Sequence, residues 1–246
     1  DEKTIEILLG VNGGLDLNTY EKFSQNNPFV SPTLNIKPTD NTYNAFAGFS
    51  AKILEKLSIT AKANFLSVND FSLFRANPEF ENLNTIPTKR SFDYQNSFGV
   101  VYNDLDILSF STDLSYQVES DFNIGFQGVY SSFSTEEGEE AWNMPELELK
   151  AYANYNFLSK WDFSAAIFYV GERFDLSQRL PLSTSPVRTE IDSYIDANAS
   201  VEYAITPRLS AFVSAHNLFN NTYNRWQNFQ VQGFQILGGL SYQFDW

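Results

Sequence analysis

The chain's 246 residues include 30 acidic and 16 basic side chains, a formal net charge of −14, and no cysteine. That excludes disulfides, thiolate metal sites and cysteine nucleophiles, and it leaves no basic stripe for phosphates, so no nucleic acid is expected as a partner. Aromatics are 16% of the chain while mean hydropathy is only −0.29, and no run approaches 18 apolar residues; this excludes spanning helices but not spanning strands.

The opening DEKTIEILLG has neither an initiating Met nor a basic flank before an apolar run, so a processed or excised chain is expected. Ile5, Ile7, Leu9, Val11 and Leu15 alternate with polar residues and predict strand one. Residues 16–41, with Pro28, Pro32 and Pro38, read as a long loop. Tyr43 to Ile53 predicts strand two, and the tight connection Glu55-Lys56 leads to strand three, from Leu57 to Phe65. Residues 69–106 read as one excursion that could hold a hairpin within 71–103. Strand four, Leu108 to Val118, turns at Ser120-Asp121 into strand five, Phe122 to Tyr130. An acidic loop, 134–144, precedes strand six, Leu147 to Phe157, and a short turn at Leu158–Lys160 gives strand seven, Trp161 to Tyr169. After a loop at 172–189, strand eight runs from Ile191 to Ile205, and Thr206-Pro207-Arg208 turns it into strand nine, 209–219. The faces of strand nine are blurred, because Phe212, His216 and Leu218 fall on its polar side. A loop at 220–232 leads to the last strand, within Phe234–Trp246.

Short connections therefore alternate with long ones along about ten strands, which predicts an all-β, up-and-down antiparallel transmembrane β-barrel, or part of one, over 1–246. The long connections, at about 16–41, 69–106, 134–144, 172–189 and 220–232, are expected to be extracellular loops. In lipid every backbone N–H and C=O must be paired, so the strands must close on one another or on a partner. The second face of several strands carries Asp, Glu, Lys, Asn and Gln, which suits a wet lumen better than a second core. Phe122, Tyr155, Phe157, Trp161, Tyr203, Phe244 and Trp246 crowd the short-turn ends, as a membrane-interface girdle would. Alanines such as Ala47, Ala153 and Ala199 hold mid-face positions that a soluble core would fill with bulk.

Residues 206–246 are more specific. Asn217-Leu218-Phe219, the following Tyr223, Gly233 before the last strand, and its alternating aromatics resemble the end of a TonB-dependent outer-membrane transporter barrel. Gly171-Glu172-Arg173 and Asp196–Ile205 are similar to that family too, while residues 1–160 resemble it only in architecture. The chain departs from the family in placing Asp245-Trp246 after Tyr242-Gln243-Phe244, where the family usually ends on Phe. The resemblance implies a place in the bacterial outer membrane as the C-terminal barrel portion of a receptor that contributes channel wall and substrate-facing loops. It also implies outer-membrane lipid as surroundings, an N-terminal barrel and plug chain or segment as partner, energy coupling through TonB, and recognition of Phe234–Trp246 by the barrel assembly machinery. Receptors of this kind close about 22 strands around a plug. Two readings stay open, a part of such a barrel or a self-contained small barrel with a structural or ligand- or partner-binding role.

No catalytic, cofactor-binding or metal residue is assigned and no enzyme is expected. His216 is the lone histidine; it reads as a hydrogen-bonded lumen residue or, less in keeping with its type, as a substrate contact, and any Ser-His-acid triad would need it. The run Glu136–Glu140 offers hard oxygen ligands without the spacing of a calcium loop, so a solvated loop is the simpler reading.

Overall fold

A computed structural model of the chain describes residues 4–53, 55–77, 97–136, 140–177 and 187–244. Its centre is a ten-stranded antiparallel sheet in which each strand neighbours the next strand of the sheet along the chain. The strands are β1 (Thr4–Asp16), β2 (Thr39–Ile53), β3 (Leu57–Ala76), β4 (Phe98–Glu119), β5 (Phe122–Thr135), β6 (Leu147–Phe157), β7 (Trp161–Val170), β10 (Tyr194–Thr206), β11 (Leu209–His216) and β14 (Gln235–Tyr242). Two hairpins stand outside it, β8 (Arg173–Ser177) with β9 (Val187–Ile191), and β12 (Asn224–Trp226) with β13 (Phe229–Gln230). A short helix, α1 (Tyr20–Asn26), is capped by Thr19, whose hydroxyl accepts from the Lys22 N–H at 3.1 Å.

The register puts like with like. Leu9, Ala47, Ala63, Phe110, Tyr130 and Leu147 are successive cross-strand neighbours from β1 to β6. Tyr155, Phe163, Val201 and Val213 continue the same face from β6 to β11. The opposite face runs through Glu6, Ser50, Thr60, Asp113, Gln127 and Lys150. A one-residue slip of any strand would exchange the faces, so this row fixes the whole register. No second layer covers the apolar face among the described residues. Ile7, Leu9 and Val11 are 75%, 72% and 73% exposed, which in water would be an untenable patch and in lipid is the required surface. β6 and β7, of 11 and 10 residues, have the length of tilted spanning strands.

The buried core lies instead at the end of the sheet that carries the long connections. Val68, Leu73, Leu105, Ile107 and Trp142 form one cluster, and Val30, Ala76 and Phe98 form a second. The opposite end is made of tight turns, including Leu158–Lys160, in which Leu158 and Ser159 are both in the left-handed region at φ 55° and 54° and the Lys160 N–H donates to the Phe157 carbonyl at 3.2 Å.

Several boundaries differ from the sequence reading, most of them because a long connection is more ordered than its prolines and polar residues suggest. Residues 71–76 and 98–103 are not free excursion but pair with one another, so the β3–β4 hairpin extends beyond the sheet's rim. A register shift between Val68 and Phe71, with Asp70 at φ 51°, interrupts the alternation there and hides the continuation. Residues 78–96 lie outside the described residues. The segment 172–189 contains β8 and most of β9, 220–232 contains β12 and β13, and 16–41 contains α1 and the start of β2. Ile191 ends β9 rather than opening the spanning strand, β11 stops at His216, and β5 runs on to Thr135. β14 occupies residues 235–242, while Asp245 and Trp246 lie outside the described residues.

Among the described residues β1 and β14 each have one partner, β2 and β11, and no ladder joins them to each other. Among the described residues the sheet thus has two free edges, on β1 and on β14.

Candidate functional site

The face opposite the apolar one is a hydrogen-bonded polar wall. Gln127 donates to Asp113 at 2.7 Å, Asn154 to Asn123 at 3.0 Å, and the Ser164 and Ser200 hydroxyls meet at 2.7 Å. Lys150, Tyr152, Asn154, Asn198, Ser214 and His216 line a hollow of about 510 Å³ on this face. His216 stands opposite Gln235 at the loop-side end of β11. It has no hydrogen-bonded serine or carboxylate among the described residues, so the structure assembles no triad around it.

Large rings on this face follow a rule the sequence did not reveal. Phe46 is directly opposite Gly10, Tyr152 opposite Gly125, and Phe212 opposite Gly239. In each pair the ring lies where a glycine Cβ would be, at 2.4, 2.2 and 2.7 Å from that position. Each ring thus takes up the space that the missing Cβ of its cross-strand glycine leaves open. Phe212 therefore does not blur the face of β11.

At the loop end the long connections are stitched into a crown by two buried polar hubs. The first is Asp175 in β8, fully buried. One of its oxygens accepts from the Ala76 N–H at 2.8 Å and the Leu176 N–H at 2.7 Å, and the other accepts from Asn143 Nδ2 at 2.8 Å. Asn143, at φ 60°, also donates from Nδ2 to the Phe74 carbonyl at 2.9 Å and from its backbone N–H to the Phe174 carbonyl at 2.9 Å. One carboxylate and one amide thereby join β3, the β5–β6 connection and β8. Burial pushes the Asp175 carboxyl up from its ordinary value, and the hydrogen bonds from Asn143, Ala76 and Leu176 offset only part of that.

The second hub gathers the residues that carried the family resemblance. The Arg173 guanidinium, 5% exposed, donates to the carbonyls of Arg225 at 2.7 Å and Asn224 at 3.0 Å, and lies 5.4 Å from the Tyr194 ring centroid. Burial lowers its pKa from the ordinary guanidinium value. Tyr194 stacks on Tyr223 with centroids 3.9 Å apart, and the Tyr223 hydroxyl donates to buried Asp196 at 2.8 Å. Burial, then that hydrogen bond, pushes the Tyr223 phenol up. Asn217, at φ 50°, donates to the Asn221 and Gln232 carbonyls at 2.8 and 3.0 Å and accepts from the Asn221 N–H at 2.9 Å. Gly233 sits where a Cβ would be 2.7 Å from Asn220 Oδ1. The motif is thus a staple that holds β8, the start of β10 and the β11–β14 connection together.

Of the acidic run, Glu140 makes a two-pronged ion pair with Arg188 at 2.7 and 3.3 Å, and residues 137–139 lie outside the described residues. No group of three or more His, Cys, Asp or Glu that could hold a metal occurs among the described residues. Sequence reasoning found Arg173, Asn217 and Tyr223 through resemblance alone. It missed Asp175 and Asn143, which in the sequence are an ordinary polar residue on a short strand and one in a loop.

No protein-family model matches the sequence, and a search of curated proteins finds no match. Solved structures do match. The pyoverdine outer membrane receptor FpvA from Pseudomonas aeruginosa PAO1 aligns over 98% of this chain and 34% of its own, with TM-score 0.65 at 14% identity. The copper transporter OprC aligns over 99% and 37%, with TM-score 0.66 at 16% identity. The ferric-catecholate import receptor Fiu from E. coli K12 aligns over 98% and 33%, with TM-score 0.59 at 13% identity. The chain spans about a third of the length of the proteins it matches. It has the fold of the barrel wall of TonB-dependent outer-membrane receptors, and of that part of them only.

Proposed function

We propose that this chain is the C-terminal barrel portion of a TonB-dependent transporter in the bacterial outer membrane, where it contributes channel wall and substrate-facing outer loops. The observation that carries the reading is the ten-stranded sheet, apolar on one face and polar on the other, whose edge strands β1 and β14 each have a single neighbour among the described residues. In hydrocarbon each unpaired backbone group costs several kcal/mol. The eight residues of β14 leave about half of their N–H and C=O groups without a partner, so its bare edge alone would cost on the order of tens of kcal/mol. Another barrel segment, N-terminal and accompanied by a plug, supplies the missing strands in this reading. The polar wall then faces the plug, TonB drives the plug, and the assembly machinery reads the strand within Phe234–Trp246. Likeness to receptors for pyoverdine, copper and ferric catecholate supports import as the general activity.

The alternative, ten strands closing on themselves as a small binding barrel, has the correct strand parity, but among the described residues β1 and β14 do not pair. The test is to fractionate cells expressing the natural gene, tag this chain, extract it in mild detergent and read its native mass. The proposal expects it in outer membranes within a species about three times its length, with a plug. A closed monomer of this chain alone would refute it.

A further inference from the structure

The hollow of about 510 Å³ in the polar wall is chemically one-sided. The chain carries 30 acidic side chains against 16 basic ones, yet no carboxylate lines this hollow, while Lys150 and the lone His216 both do. Lys150 makes no ion pair and no hydrogen bond among the described residues, and its ammonium lies 5.9 Å from the Tyr152 ring centroid. Along its cross-strand row the acids on either side, Asp113 and Asp196, stand behind Gln127 and Phe168. Each already accepts a hydrogen bond, from Gln127 at 2.7 Å and from Tyr223 at 2.8 Å. Glu148, two residues back on the same strand, does not pair with Lys150 either. Other donors at the hollow are uncommitted too. Asn198 uses its oxygen to accept from the Asn217 N–H at 3.2 Å, which leaves its Nδ2 without a partner among the described residues, as are the Tyr152 and Ser214 hydroxyls.

We infer that this hollow receives an aspartate or glutamate side chain of the plug, which pairs with Lys150. The inference rests on the transporter reading, which puts a plug against the polar wall. In the chain by itself Lys150 is exposed, and water solvates its ammonium. A plug removes that water, and a buried ammonium without a counter-charge is costly. No acid of this wall is placed to supply one, so the plug carries it. A carboxylate also suits the rest of the hollow, because its two oxygens accept from several donors at once and the hollow offers an ammonium, an amide and hydroxyls. A plug lysine or arginine would instead face Lys150 with no acid to offset either charge.

The test uses the barrel assembly extracted from outer membranes in mild detergent through a tag on this chain. A water-soluble carbodiimide joins a carboxylate to an amine that it already touches. The amide forms with loss of the elements of water, which convert the carbodiimide to its urea. Peptide mass spectrometry should find Lys150 linked to an Asp or Glu outside these 246 residues, in the segment that fills the lumen. Lys150→Arg keeps the charge but offers no amine, so the link should be lost while the plug stays as resistant to protease as in wild type. Lys150→Gln removes the charge and should raise cutting of the plug severalfold. Linkage of Lys150 only to Glu148, no link in an assembly that holds its plug, or equal cutting in wild type and Lys150→Gln overturns the inference. An assembly whose native mass has no room for a plug would instead overturn the transporter reading, so the two failures are told apart before any reagent is added.

Discussion

Removing the Asp175 carboxylate should open the crown without touching the sheet. Asp175→Ala orphans three donors, the N–H groups of Ala76 and Leu176 and the Asn143 amide. A buried donor left unpaired costs about 1–3 kcal/mol, so the three together predict about 3–6 kcal/mol of lost local stability, once some water enters the space. Asp175→Asn keeps an oxygen facing Ala76 and Leu176 and disturbs only the Asn143 contact, for about 1–2 kcal/mol. Native-state hydrogen exchange at Ala76 and Leu176 reads this directly, since local opening exposes those amides while the sheet stays closed. The dependence on pH has a definite sign. Burial raises the Asp175 carboxyl above its ordinary value, so the closed crown binds the proton more tightly than the opened one. Its contribution to closure is complete below the ordinary carboxylate range and is lost as pH rises through the raised native value. Exchange at Ala76 should therefore accelerate as pH rises above the ordinary carboxylate range, beyond the intrinsic base catalysis measured on an unfolded peptide. Asp175→Asn should show no such excess. Equal protection of Ala76 in wild type and Asp175→Ala would refute the hub.

Further substitutions probe the faces and the second hub. Ala165→Arg, mid-strand on the apolar face, should destabilise the folded barrel by about 2–4 kcal/mol, whereas Ser164→Arg on the polar face should cost far less; equal effects in detergent unfolding titrations would contradict the assignment of faces. Gly125→Ala puts a Cβ 2.2 Å from the Tyr152 ring, so the ring must swing away, and a loss of about 1–3 kcal/mol is expected. Pairing it with Tyr152→Ala in a double-mutant cycle should recover part of that loss. Arg173→Met keeps the stem but deletes both bonds to the Asn224 and Arg225 carbonyls, and should raise protease cutting within 220–232 with no change in the sheet's circular dichroism.

The spanning part of this fold was legible because lipid on one side and water on the other impose a strict period of two. Leu147–Phe157 and Trp161–Tyr169 could be read almost to the residue. The crown was not, and the reason is physical. Residues 71–76 pair with 98–103 beyond a bulge at Asp70, and a bulge shifts the parity that the reading depends on. β8, β9, β12 and β13 are only two to five residues long, too short to establish a period. Nothing in Phe174-Asp175-Leu176 announces a buried carboxylate, because its partners come from Ala76 and Asn143, far away in sequence. Phe212 is out of place on a polar face by its residue type alone, and only the cross-strand pairing with Gly239 accounts for it.

The central claim is that ten strands are not the whole barrel, and hydrogen exchange along the sheet's edges tests it most directly. The 28.0 kDa chain, refolded by itself in detergent micelles, should protect amides in β4, β5 and β6 but leave the outer amides of Thr4–Asp16 and Gln235–Tyr242 exchanging freely. Adding the complementary barrel segment should protect both edges. Full protection of β1 and β14 in a monomer of the isolated chain would mean that the two edges pair with each other, and would contradict the account.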